Sequence, residues 1–226
     1  MIGARIPWYP PMLAPDILRH GRGKALLDRV RPTVRTLRNA LRWVAHRSDY
    51  RRWTSADGLE EWWSARTEMI AQFVPADSRV IEFGAGRRYL ERVLPSGCTY
   101  TALDLVDRGP GTIICDLNHR PLPDLRDRAF TVAVFGGVLE YLRDVTSLVV
   151  WLGAMGIRSV VVSFDPVPAR LSLTRRLKER RRRLYFGYMC NWTEEELLRC
   201  FEAVHMQCVE RRPWTNQVII RFERRP

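Results

Sequence analysis

Five short apolar segments recur from residue 79 onward, each running into a glycine or a carboxylate: RVIEFGAG from Arg79, TYTALDLV from Thr99, GTIICDL from Gly111, FTVAVFGGVL from Phe130 and RSVVVSFDP from Arg158. Runs of this length bounded by turn residues read as strands, and a continuous apolar core such as Val160–Val162 reads as a strand covered on both faces. The stretches between them suit short helices or loops, an alternation that builds a parallel sheet between two helical layers. The tail MQCVERRPWTNQVIIRFERR then reads as two strands joined through a turn at 213–216, an antiparallel hairpin at the sheet edge.

The helical segments are legible from period and caps. From Pro32 to about His46, Val34, Leu37, Leu41, Val44 and Ala45 recur at helical spacing with Arg35, Arg38 and Arg42 on the other side, which predicts a basic amphipathic helix. A second helix is predicted from Ser55 to Pro75, with Trp62, Met69 and Phe73 on one face. Further helices are predicted at 144–155, at 169–185 with its run RRLKERRRRLYF, and over NWTEEELLRCFEAV, where Thr193 and Glu196 form a capping-box pair. The division expected is an N-terminal arm and helical cap over 1–75, then an α/β domain over 76–226 with a basic insertion at about 167–190.

Composition narrows the class. The chain has 226 residues, enough for one substantial core, and 46% are hydrophobic, so disorder is not the default. The longest apolar stretch between charges, Val145–Ile157, is too short to cross a bilayer. The prolines and aromatics of the first eighteen residues do not resemble a signal peptide, so a cytoplasmic protein is expected. Five scattered cysteines without a C-x-x-C pair indicate neither a disulfide framework nor a metal site. The net charge of +12 attracts anionic partners, but Lys24 and Lys178 are the only lysines, and so strong an arginine bias discounts the charge as a sign of nucleic acid.

The chemistry concentrates where strands end. VIEFGAG places Gly84 and Gly86 after the first strand, where a chain without Cβ atoms turns sharply and lets a ligand approach bare backbone. The nicotinamide fingerprint G-x-G-x-x-G fails, because Tyr89 stands at its third glycine. Glu82, Asp104 and Asp116 sit at the ends of three successive predicted strands, and parallel strands present those ends to one crevice.

These residues carry a resemblance to the class I S-adenosylmethionine-dependent methyltransferases over about 78–224. VIEFGAG, TALDL and IICDLN look like that family's E/D-x-G-x-G loop and the acids ending its second and third strands, and the terminal hairpin resembles its sixth and antiparallel seventh strands. The resemblance implies an α/β, Rossmann-like, seven-stranded, mostly parallel sheet and S-adenosylmethionine as cofactor. It implies that Glu82 orients the methionine amino group beside Gly84, Ala85 and Gly86, that Asp104 with Leu105 binds the ribose, that Asp116 with Leu117 frames the adenine, and that Gly136 and Gly137 pass the sulfonium. Arg88 departs from the pattern, standing where the family often has a further glycine, and a bulky side chain there is expected to narrow the loop.

Glu140 and Tyr141, after the fourth strand, are the candidates for contact with the methyl acceptor; His119 is a candidate base or a surface residue. FGGVLEY replaces the asparagine-proline-proline-aromatic motif of many nucleic-acid amino-methylating enzymes, which favours a small-molecule, lipid-linked or carbohydrate acceptor. Two alternatives stay open: an RNA-modifying or RNA-binding protein, and a non-catalytic methyltransferase-like partner protein impaired by Arg88. The run Arg175–Arg183 is expected to meet solvent, to pair with acids elsewhere in the chain, or to contact anionic lipid, RNA or an acidic partner.

Overall fold

The computed structural model describes residues 22–45, 47–55 and 63–225; Trp62 and the arm over 1–21 lie outside them. Seven strands, β1 (Arg79–Phe83), β2 (Thr99–Asp104), β3 (Ile113–Ile114), β4 (Val132–Gly136), β5 (Ser159–Phe164), β6 (Met206–Trp214) and β7 (Gln217–Arg224), form one sheet in the order β3-β2-β1-β4-β5-β7-β6. The first five are parallel, and β7 runs antiparallel to both β5 and β6. The predicted hairpin therefore does not simply extend the edge: β7 inserts beside β5, because Val218, Ile219, Ile220 and Phe222 are apolar enough to be buried. β6 takes the outer position, where Pro213 needs no ladder partner for its missing N–H.

Strand side chains alternate between two cores. Ile81, Phe83, Phe135, Val160 and Val162 point to one side, where Phe83 stacks on Phe135 at 4.4 Å, and meet α5 (Val145–Ala154) and α7 (Glu194–Glu202). Val80, Val132, Val134, Val161 and Ile219 point to the other, against Ile70 and Ala71 of α3 (Trp63–Ala71) and Leu90 of the short α4 (Tyr89–Val93). The capping box at the start of α7 is formed, with the Thr193 N–H donating to Glu196 Oε2 at 2.7 Å and the Glu196 N–H to Thr193 Oγ1 at 3.3 Å. Thr193→Ala is expected to cost about 1 kcal/mol in a denaturant titration.

Two expectations need correction. The third strand shrinks to two residues, so Asp116 lies beyond it in a turn that its own carboxylate caps by accepting from the Asn118 N–H at 2.9 Å. The first helix, α1 (Arg22–Ala45), starts ten residues before the predicted Pro32, and is followed by the short α2 (Tyr50–Thr54). The basic helix α6 (Leu173–Phe186) divides between the two fates expected of it, a solvated face and pairing with acids. Arg182 pairs with Glu179 at 2.6 Å and Asp165 at 3.0 Å, and Arg183 is 1% exposed, so these two arginines are structural and only the earlier ones face solvent. No described helix is long and apolar enough to cross a membrane.

Candidate active site

The order β3-β2-β1-β4 reverses direction between β1 and β4, and at such a switch point the loops leave on opposite sides and open a crevice at the strand C-termini. Here that crevice, about 2760 Å³ in volume, is roofed by α1, α2, α3 and α6. Glu82, Gly84, Ala85, Gly86, Asp104, Leu105, Asp116, Leu117, Gly136, Gly137 and Tyr141 all line it.

The turn after β1 depends on its glycines. Gly84 and Gly86 take φ of +69° and +52°, and a Cβ on Gly84 would lie 2.6 Å from Val138 Cγ2, so the backbone there is necessarily bare. The Gly84 N–H donates to the Leu103 carbonyl at 2.7 Å and the Gly86 N–H to Asp104 Oδ2 at 2.9 Å, which ties the loop to the end of β2. Arg88 accepts a φ of +55° and turns away from the crevice: it donates to the Pro110 carbonyl at 2.9 Å and pairs with Glu91 at 3.0 Å. The expected narrowing of the loop by its side chain does not occur.

The three acids face one hollow but differ in their surroundings. Glu82 is 6% exposed and accepts from the Tyr100 hydroxyl at 2.6 Å; burial pushes its pKa up to about 8, the Tyr100 bond opposing and Asp104 adding to the rise. Asp104 Oδ2 is held by Gly86 and by Arg108 Nε at 3.2 Å, whereas Oδ1 has only the Val106 N–H at 3.4 Å. Asp116 accepts from Ser48 Oγ at 2.6 Å and the Tyr50 hydroxyl at 3.3 Å, so this carboxylate anchors the segment that leads into α2.

The two acceptor candidates separate. The tight helical turn Leu139–Tyr141 drives Leu139 and Glu140 inward and Tyr141 toward the crevice. Glu140 is not among the crevice residues: its Oε1 accepts from the Asp165 N–H at 2.8 Å and from Gln217 Nε2 at 3.4 Å, pinning the ends of β5 and β7 together. Its pKa rises to about 7 through burial, and its carboxylate stands away from the crevice. Tyr141 stands in an aromatic wall, edge-on to Trp53 at 5.0 Å and to Tyr188 at 5.2 Å, with the Arg52 guanidinium 5.4 Å from its ring. Burial raises its pKa, so the hydroxyl keeps its proton. His119 is exposed and outside the crevice, whereas Trp63 lines it.

Arg66 escaped the sequence reading. It lies on the buried face of α3, one turn before Ile70, and donates to the Gly136 carbonyl at 2.9 Å and to Gln217 Oε1 at 3.2 Å, while its buried Nε has no partner. Burial lowers its pKa, with Glu140 opposing. An arginine interrupting the apolar stripe of Ile70 and Phe73 was the available signal.

No protein-family model matches the sequence, and no curated protein matches it. Solved structures do. Human N-acetylserotonin methyltransferase in complex with SAM is 14% identical with a TM-score of 0.55, over 80% of this chain and 58% of that one. CalO1, a methyltransferase in calicheamicin biosynthesis in its SAH-bound form, is 18% identical with a TM-score of 0.53, over 74% and 56%. The mitomycin 7-O-methyltransferase MmcR is 15% identical with a TM-score of 0.53, over 75% and 56%. The chain has the class I methyltransferase fold. It spans between 56% and 58% of the length of these three proteins. The antiparallel β7 stands between β5 and β6, so the hairpin expected at the sheet edge is present with its second strand innermost.

Proposed function

We propose that this chain binds S-adenosylmethionine in the crevice and transfers its methyl group to a small-molecule, lipid-linked or carbohydrate acceptor. The observation that carries the reading is the joined pair of a bare glycine turn and the Asp104 carboxylate, linked by the 2.9 Å Gly86 bond and facing buried Glu82. The donor set fits the chemistry of the cofactor. Asp104 Oδ1 accepts a ribose hydroxyl, Glu82 opposes the methionine ammonium, and Arg66, with its unpartnered Nε, opposes the methionine carboxylate. Asp116 and Leu117 border the base, and Gly136 and Gly137 leave room beside the sulfonium.

When bound, the sulfonium supplies an electrophilic methyl carbon. The protein's part is to align an acceptor lone pair with it and to exclude water. The wall of Trp53, Tyr141 and Tyr188 favours a flat or apolar acceptor, and the protonated Tyr141 hydroxyl orients it by donating rather than by taking a proton. Three structural neighbours are methyltransferases, which supports the reaction class; their acceptors are their own. The non-catalytic alternative took Arg88 to impair the pocket and the basic insertion to contact another subunit, and the turn of Arg88 toward Pro110 removes the first of these supports.

Calorimetric titration with S-adenosylhomocysteine tests the reading, followed by transfer of labelled methyl from S-adenosylmethionine to extract fractions. Asp104→Ala is expected to weaken binding by about ten-fold or more, since a charge-assisted hydrogen bond contributes roughly 1.5–3 kcal/mol; absence of binding heat in the parent chain overturns the proposal.

Binding is also expected to release a proton. Free Glu82 holds its proton up to about pH 8, and an adjacent ammonium lowers that value, so affinity rises with pH over the range in which the ammonium keeps its own charge. Below about pH 7.5, where an α-ammonium stays charged, titrations in buffers of different ionisation heat should show the release, and Glu82→Gln should abolish it.

A further inference from the structure

The first described helix is mounted with its polar face inward. Asn39 Nδ2 donates to the carbonyls of Leu184 and Tyr185 at 2.9 and 3.0 Å, Arg35 reaches the Tyr185 hydroxyl at 3.5 Å, and Arg42 pairs with Asp49. The opposite face is apolar and open: Val34, Leu37, Leu41 and Val44 are 54%, 60%, 70% and 68% exposed. An amphipathic helix in a water-soluble domain normally turns that stripe to the core, and a continuous apolar strip left outside marks a contact surface. On α6, against which α1 packs, Leu173 and Leu177 are exposed as well, among exposed Arg175, Arg176, Lys178, Arg180 and Arg181.

Charge identifies the occupant. Residues 33–47 contain no acid, and the single acid of α6, Glu179, is spent on Arg182 and Arg183. A second copy of this chain laid on the same surface would set arginines against arginines. Nucleic acid would satisfy the arginines and leave four aliphatic side chains in water. An acidic lipid surface satisfies both, since acyl chains take the aliphatic residues while phosphates take the guanidinium groups. We propose that the outward face of α1, with the exposed half of α6, seats on a bilayer surface rich in anionic phospholipid. The same two helices roof the crevice, so this seating would bring the crevice close to acceptors dissolved in or tethered to the bilayer.

The test is co-sedimentation of the full chain with vesicles of phosphatidylcholine alone and of equimolar phosphatidylcholine and phosphatidylglycerol. Binding to the anionic vesicles is expected to be at least about ten-fold stronger. The variant Leu37→Ser/Leu41→Ser keeps the net charge of +12 and should lose most of that binding, which separates insertion of the stripe from attraction of a basic protein. Arg176→Gln/Arg180→Gln should weaken binding through α6. Both pairs are exposed, so thermal melting and S-adenosylhomocysteine titration should match the parent chain, and failure of the cofactor reading is seen separately from failure of this one. Equal binding to the two vesicle types overturns the proposal, as does full binding by the serine variant. A dimer in sedimentation velocity that the serine substitutions dissolve overturns it in favour of a second copy.

Discussion

Arg183→Leu is expected to lower the unfolding free energy by about 3–5 kcal/mol, the cost of removing one member of a buried ionic network. The Arg183 guanidinium is buried where α6 meets the end of β5. It donates to the carbonyls of Asp165 at 2.9 Å and Cys190 at 2.7 Å and to Asn191 Oδ1 at 2.9 Å, and it lies 4.9 Å from the Tyr188 ring. Leucine fills part of the volume but leaves two backbone carbonyls without donors and strips charge from the surroundings of Asp165, whose pKa burial already raises against the pull of Arg182. At about 2–4 °C per kcal/mol for a chain of this size, the melting midpoint should fall by roughly 6–20 °C. Arg183→Lys keeps the charge but offers one nitrogen where three acceptors diverge, so it should recover less than half of the loss. A fall below about 1 kcal/mol would mean that water replaces the guanidinium at those carbonyls.

Arg183 also shows where the sequence stops being legible. Four consecutive arginines at 180–183 look alike, yet Arg180 and Arg181 are exposed, Arg182 is half-buried on Asp165 and Glu179, and Arg183 is internal. Nothing local distinguishes them, because the difference is made by β5 and by the chain after α6. The strand ends were readable for the opposite reason. In VIEFGAG the backbone itself requires glycine, and the apolar runs of β1, β4 and β5 are buried on both faces whatever packs on them. Likewise Thr193 and Glu196 act within one helical turn, so their spacing alone predicted the cap.

Orientation was the harder quantity. The period of α1 was correct, but which face meets the body depended on Asn39 finding the carbonyls at the end of α6. Glu140 and Tyr141 are adjacent, and a tight turn of one short helical segment decides that the tyrosine faces the crevice while the glutamate braces β5 against β7. Arg66 comes from outside the glycine-and-acid pattern, on a helix that touches the crevice only in three dimensions. Glu82 and Asp104 could thus be placed from their strands, whereas the fold was needed to set Arg66 at the crevice and Trp53 and Tyr188 beside Tyr141.

Gly84→Ala is expected to weaken S-adenosylhomocysteine binding by roughly 30- to 150-fold, equivalent to about 2–3 kcal/mol. Two costs combine. At φ +69° an L-side chain pays about 1–2 kcal/mol against its neighbouring carbonyl, and the new Cβ would stand 2.6 Å from Val138 Cγ2, so the turn after β1 and the turn after β4 must part. The loop relieves both by leaving its left-handed conformation, which moves the Gly86 N–H off Asp104 and must be reversed before a ligand is cradled, so the strain reappears as lost affinity. Adding Val138→Ala removes the clashing methyl but not the backbone strain, and should restore about ten-fold of the binding, with Val138→Ala alone near the parent chain. Melting curves run in parallel separate loop distortion from unfolding. Parent-like affinity in Gly84→Ala would show that the ligand does not rest on this turn, and full rescue by Val138→Ala would show that the steric contact alone, without the positive φ, sets the requirement for glycine.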